Sequence, residues 1–322
     1  MTTTQGPVAR SHTDPGLWKA LLDDGRPALL LTGMALLVSG AFAVFLSIRR
    51  EFLPHDVAFL GMTAEQVCSL ADCRVVRFMF HDRVAFGGAL MAVAILYLWL
   101  AAVPLKEGAR WAWSAFVITG LLGFGSFLSY LAYGYLDSWH GVATLALLPI
   151  FCAGLIRTRS LATVSSRGWL RTPEGLAAPV RVRGGRWGLL ATGAGMTLAG
   201  AVILVLGSTE VFVQEDLAFM NVTREMLDGV NPRLVPLIAH DRAGFGGGLF
   251  TCGLLVVICA WFARPSRSFH QAIVLAGVSG FGCAIGVHLI EGYTNPVHLA
   301  PAFAGAGMFA VSVLCLTIGV NR

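Results

Sequence analysis

Eight apolar runs constrain this chain more than any other feature. They fall at about 27–48, 84–104, 111–133, 139–157, 187–207, 243–264, 270–290 and 297–320. Each is close to the roughly 20 residues a helix needs to cross about 30 Å of hydrocarbon. In lipid every backbone amide must find its partner within the protein, so such runs are read as helices. A composition with 56% apolar and 13% charged residues agrees. The expected class is an all-α polytopic membrane protein whose first partner is the lipid bilayer. The net charge of +5 does not point to nucleic acid, because the basic residues sit beside the spans and set topology. Ala41-Phe42-Ala43 imitates a signal-peptide cleavage site. The span before it has a counterpart in the second half, however, so it is read as a retained first helix.

The chain is written twice. His81-Asp82-Arg83-Val84-Ala85-Phe86-Gly87-Gly88 returns as His240-Asp241-Arg242-Ala243-Gly244-Phe245-Gly246-Gly247. Upstream, Glu51 to Thr63 (EFLPHDVAFLGMT) echoes Val213 to Thr223 (VQEDLAFMNVT). The shared positions are Asp56/Asp216, Ala58/Ala218, Phe59/Phe219 and Thr63/Thr223. Downstream, Gly123-Phe124-Gly125 matches Gly280-Phe281-Gly282, and Gly134-Tyr135 with His140 matches Gly292-Tyr293 with His298. The offset stays between 157 and 160 residues, which points to tandem duplication of a four-helix unit. Four is even, so both units insert in the same sense and are related by a pseudo-twofold axis along the membrane normal. The expected organisation is a cytoplasmic tail over 1–26, repeat A over 27–157 with outer loop 49–83, a basic cytoplasmic linker over 158–186, and repeat B over 187–320 with outer loop 208–242.

Orientation follows from the basic residues. With the N-terminus inside, inner segments hold 15 Lys and Arg and outer segments eight, which places both termini in the cytoplasm. Arg49 and Arg50 run against this bias. The long loops are then extracytoplasmic. Thr63-Ala64-Glu65-Gln66 has the form of a capping box, so a short helix is expected there and a shorter one after Thr223.

On this topology His55, His81, His140, His240, His288 and His298 all lie near the outer face. The second and fourth spans of each repeat open with histidine. If those spans are neighbours, His81 pairs with His140 and His240 with His298. Imidazole pairs at matched depth suit haem iron, copper or zinc. Asp82 or Asp241 would orient a ring, and Arg83 or Arg242 would meet a haem propionate, a quinone carbonyl or a lipid phosphate. The same triplet also reads as a structural knot at a helix mouth, where Asp suits the first turn and Arg reaches the headgroups. The repeats diverge near the end of the seventh span, where His288 and Glu291 replace Tyr130 and Tyr133. They share a helical face, so His240, His288, Glu291 and His298 form the expected metal set of repeat B. Tyr130, Tyr133, Tyr135, Asp137, Trp139 and His140 read as an interfacial rim.

Cys68 and Cys73 are the only cysteine pair in an outer loop, and a disulfide is expected between them. The paired glycines and the Gly-Phe-Gly segments read as sites of close helix approach. No strand precedes them and no Lys-Ser/Thr follows, which excludes a phosphate loop.

The leading expectation is a membrane redox component holding haem, a transition metal or quinol near the extracytoplasmic face. A transporter or channel using His288 and Glu291 at the repeat interface is the alternative. It is weakened by spans that carry almost no ionisable residues on their inner halves and lack a pair of broken helices. A third reading is a non-catalytic subunit that docks other membrane-complex subunits on the extracytoplasmic side.

Overall fold

The computed structural model describes residues 24–135, 137–163 and 179–320. The cytoplasmic tail expected at 1–26 falls largely outside them, as do residues 164–178 of the linker expected at 158–186; the rest of that linker is mostly helical, 158–163 ending one long helix and 180–186 starting the next. The described residues contain helices and turns and no strand. In chain order the helices are α1 (Arg26–Arg49), α2 (Pro54–Leu60), α3 (Ala64–Cys68), α4 (Arg74–Ala102), α5 (Arg110–Ser126), α6 (Ser138–Thr163), α7 (Val180–Ser208), α8 (Gln214–Met220), α9 (Arg224–Val230), α10 (Leu234–Phe262), α11 (Arg267–Glu291) and α12 (Pro296–Val320). Short 3₁₀ turns at Ala71–Cys73 and Phe127–Ala132 precede α4 and follow α5.

Among the described residues seven helices are long and apolar enough to cross a membrane: α1, α4, α6, α7, α10, α11 and α12. The protein is therefore read as a multi-pass helical membrane protein. The run at 111–133 takes another form, a 17-residue α5 continued by the 3₁₀ turn.

The helix ends follow local chemistry. Pro27 starts α1, where its missing N–H costs nothing. Ser266 Oγ accepts the Phe269 amide at the start of α11. Gly292, at φ 75°, ends that helix in the left-handed conformation that glycine adopts without penalty. Thr63 and Gln66 form the expected reciprocal cap on α3. The helix after Thr223 is longer than expected, seven residues against five in α3. A disulfide joins Cys68 to Cys73 just before α4.

Helices α4 and α10 form the buried centre, while the others turn apolar side chains such as Ile48, Leu145, Ile156, Leu198, Ile290 and Val311 outward. An outward apolar surface of this kind suits hydrocarbon rather than water. Helix α1 lies along α4 and α7 along α10. The next contacts decide the site: α11 packs on α4, and α5 packs on α10. The third long helix of each half thus sits against the second long helix of the other. The short helices of the two long loops close the same end of the bundle, where a second apolar cluster gathers Phe78, Phe80, Met220, Leu237, Tyr135 and Tyr293.

Backbone-to-backbone packing holds α7 against α10. A Cβ on Gly246 would strike the Leu204 backbone, and one on Gly200 the Phe250 backbone. By contrast Gly125 and Gly282 face open space, so only the first glycine of each Gly-Phe-Gly segment meets a neighbour. Gly246→Val is expected to lower stability by roughly 1–3 kcal/mol through overpacking, read as a lower thermal midpoint in detergent. Gly282→Val should leave the midpoint near that of the parent. Equal midpoints for both variants would refute the close-packing role.

Candidate metal centre

The structure pairs the repeated histidines across the halves, not within them. His81 of α4 meets His288 of α11 and His298 of α12; His240 of α10 meets Asp137 and His140 at the start of α6. The expected pairs His81/His140 and His240/His298 are therefore replaced by crossed sets. The physical reason is the packing of α11 on α4 and α5 on α10. The expected metal set of repeat B also divides. His288 and His298 stay together, His240 joins the other cluster, and the Glu291 carboxylate turns to Arg50, 3.4 Å away.

In the first cluster the three ligand atoms lie within 4.8 Å of one another. His81 and His288 are buried and meet Nε2 to Nε2 at 2.8 Å. Their other nitrogens already face oxygens. His81 Nδ1 lies 3.1 Å from Asp82 Oδ1, and His288 Nδ1–H donates to the Tyr293 carbonyl at 2.9 Å. The Tyr293 hydroxyl donates to Asp216 Oδ1 at 2.8 Å and accepts from His298 Nδ1–H at 3.4 Å. The oxygens facing them place the His288 and His298 protons on Nδ1. At 2.8 Å the Nε2 atoms of His81 and His288 are at hydrogen-bond distance, one ring donating to the other. A cation that displaced that shared proton would meet a lone pair on each ring.

The second cluster is built around one carboxylate. Asp137 caps α6, its Oδ1 accepting the Trp139 amide at 2.7 Å and the His140 amide at 3.3 Å. Its Oδ2 lies 2.6 Å from His140 Nδ1 and 3.6 Å from His240 Nε2. His55 Nε2 approaches Oδ1 at 3.0 Å. Burial would raise the Asp137 carboxyl, but the His140 hydrogen bond and the imidazoles of His140, His240 and His55 outweigh it. The group is held below the ordinary carboxylate range.

Paired charges brace both clusters. Arg83 spans the halves, donating from Nη1 to Asp56 Oδ2 and from Nε to Asp241 Oδ2, each at 2.8 Å. Arg242 Nη1 lies 2.7 Å from Asp216 Oδ2, its guanidinium 5.2 Å from the Phe78 ring centroid. Asp56 and Asp216 each also accept a tyrosine hydroxyl, from Tyr135 at 2.7 Å and Tyr293 at 2.8 Å. Burial and the neighbouring carboxylates push both phenols up, so they stay protonated and donate. Each carboxylate further accepts the amide that precedes its own short helix, Leu53 or Val213. The arginines expected to meet a propionate, quinone or phosphate are thus committed inside the protein.

Sequence reasoning reaches His81, His140, His240, His288 and His298 but misses four contributors. His55 is only one of several histidines expected near the outer face. Asp137 reads as part of an interfacial rim, although its spacing of three from His140 on a helix start is the available signal. Tyr293 and Tyr135 are visible only as landmarks of the repeat. Of that rim, Tyr130 has a side chain outside the described residues, and Trp139 is exposed.

No family model, curated protein or solved structure matches the chain. Its chemistry is therefore read from the geometry alone.

Proposed function

We propose that the protein is an integral membrane redox component whose centre is a transition-metal ion held by His81, His288 and His298. The observation that carries this reading is the convergence of three imidazoles whose ligand atoms lie within 4.8 Å of one another, with an oxygen close to the other nitrogen of His81 and of His288. Metal-bound histidines are oriented in this way by partners on the far nitrogen. An all-imidazole set suits copper, zinc, iron or nickel, and copper is the redox-active ion such a set holds most tightly. A bis-histidine haem is less well supported. It needs two nitrogens about 4 Å apart on opposite faces of the macrocycle, whereas His81 and His288 have ring centroids only 4.1 Å apart and touching nitrogens. Quinol has little support either, since both arginines are already paired. The transporter reading relied on His288 and Glu291 acting together, and they face different partners.

The same proposal includes eight spans in two tandem repeats with both termini cytoplasmic. Two observations support it. Helix α5 and its 3₁₀ continuation together reach roughly 37 Å at 1.5 and 2.0 Å per residue, enough to cross the hydrocarbon. The Arg83–Asp56–Tyr135 and Arg242–Asp216–Tyr293 networks occupy equivalent positions in the two halves. On this topology both clusters lie at the extracytoplasmic end, where electron-transfer partners or other subunits can approach.

Electron paramagnetic resonance of detergent-purified protein, with elemental analysis of the same sample, tests the centre. The expected result is a copper(II) signal with nitrogen splitting that disappears on dithionite reduction. Zinc alone or a metal-free sample would overturn the redox reading. A Soret band would overturn it in favour of haem.

A further inference from the structure

We infer that Asp137, His140 and His240 bind a second ion, a divalent metal of harder character than the one proposed for the all-histidine cluster. The two clusters occupy related positions but offer different atoms. Where repeat B supplies His288 to His81, repeat A supplies the Asp137 carboxylate to His240. A carboxylate with two imidazoles is the donor set that suits iron(II), manganese(II) or zinc(II) and leaves coordination positions open. The three ligand atoms lie within 4.8 Å of one another. Asp137 is 2% exposed and tied by two amides of α6; His240 is 4% exposed on the central helix.

Charge separates the two centres as clearly as donor type. No carboxylate joins the ligand set of the first cluster, where Asp82 is turned to the far nitrogen of His81. In the second, the carboxylate faces the ligand position itself and offsets part of a double positive charge. His55 Nε2 lies 3.0 Å from the other carboxylate oxygen. In each cluster two ligands are buried and one histidine is part-exposed, His298 in the first and His140, at 32% side-chain exposure, in the second. A small ligand or water would reach the open coordination positions past His140.

The test uses full-length protein in detergent, stripped with chelator and titrated with manganese(II), free ion being read by its resonance signal. The parent should bind one manganese per chain. Asp137→Asn should weaken that binding at least about tenfold, while His288→Ala leaves it unchanged. Should Asp137→Asn fold poorly, His140→Gln at the exposed edge should show the same loss. Binding by the parent that survives both Asp137→Asn and His140→Gln would overturn the second centre, as would no binding at all. Binding lost in His288→Ala and kept in Asp137→Asn would move the ion to the first cluster and overturn it equally. Because manganese reads the carboxylate set, a copper-free first cluster would leave this result standing.

Discussion

A His288→Ala chain is expected to fold and insert but to lose the ion of the all-histidine cluster, with affinity falling by more than about 100-fold. That exceeds the roughly 10- to 100-fold usual for a partner that only orients a ligand. Three features of His288 set the size of the effect. Its Nε2 is 2.8 Å from that of His81, its Nδ1 is fixed on the Tyr293 carbonyl, and it is buried where water cannot replace it. Asp82→Asn provides the graded comparison. It weakens the acceptor behind His81 without removing a ligand, so the loss should fall within the 10- to 100-fold range. Glu291→Gln provides the control. Its carboxylate faces Arg50, so the metal content should not change. Copper titration of the stripped proteins, with size-exclusion profiles to show folding, reads all three. Loss of the ion in Glu291→Gln together with retention in His288→Ala would refute the geometry.

The contrast between His288 and Glu291 shows what the sequence made legible. Three-residue spacing puts both on one helical face, and that much is periodicity. Which neighbour each meets depends on the packing of α11 against α4 and on Arg50 at the end of α1, and neither leaves a local trace. The repeated HDR triplet identified His81 and His240 as equivalent, because copied residues keep their order. It carried no signal for the crossing, since pairing within a half and across halves requires the same residues at the same spacing. Apolar run length identified the helices. The 3₁₀ turn after α5 was not legible, because Phe127–Ala132 is as apolar as the helix it continues. Asp137 was hidden differently: an aspartate before a helix is an ordinary N-cap, and only the approach of His240 from the other half makes it part of a site.

Arg83→Met is expected to destabilise the protein by about 3–5 kcal/mol, the cost of leaving a buried charge without its partner. One guanidinium here serves two carboxylates, Asp56 at 2% exposure and Asp241 at 8%. After the substitution Asp56 keeps the Tyr135 hydroxyl and the Leu53 amide. Two dipoles do not replace a full charge in a medium of low dielectric. The damage should reach beyond stability, because Arg83 lies in α4 beside His81 and its partner Asp241 lies in α10 beside His240. The same ion pair therefore ties together the helices that carry one histidine of each cluster. A second variant separates charge from packing. Adding Asp56→Asn and Asp241→Asn to Arg83→Met removes the orphaned charges while keeping the side-chain volumes close. Replacing all members of a buried ion set is far less costly than removing one. The triple variant should therefore recover much of the thermal midpoint lost by the single one, measured on metal-stripped protein so that ligand binding does not contribute. A triple variant no more stable than Arg83→Met would mean that the arginine acts by filling space. The bridge between the halves would then be a packing contact and not an electrostatic one.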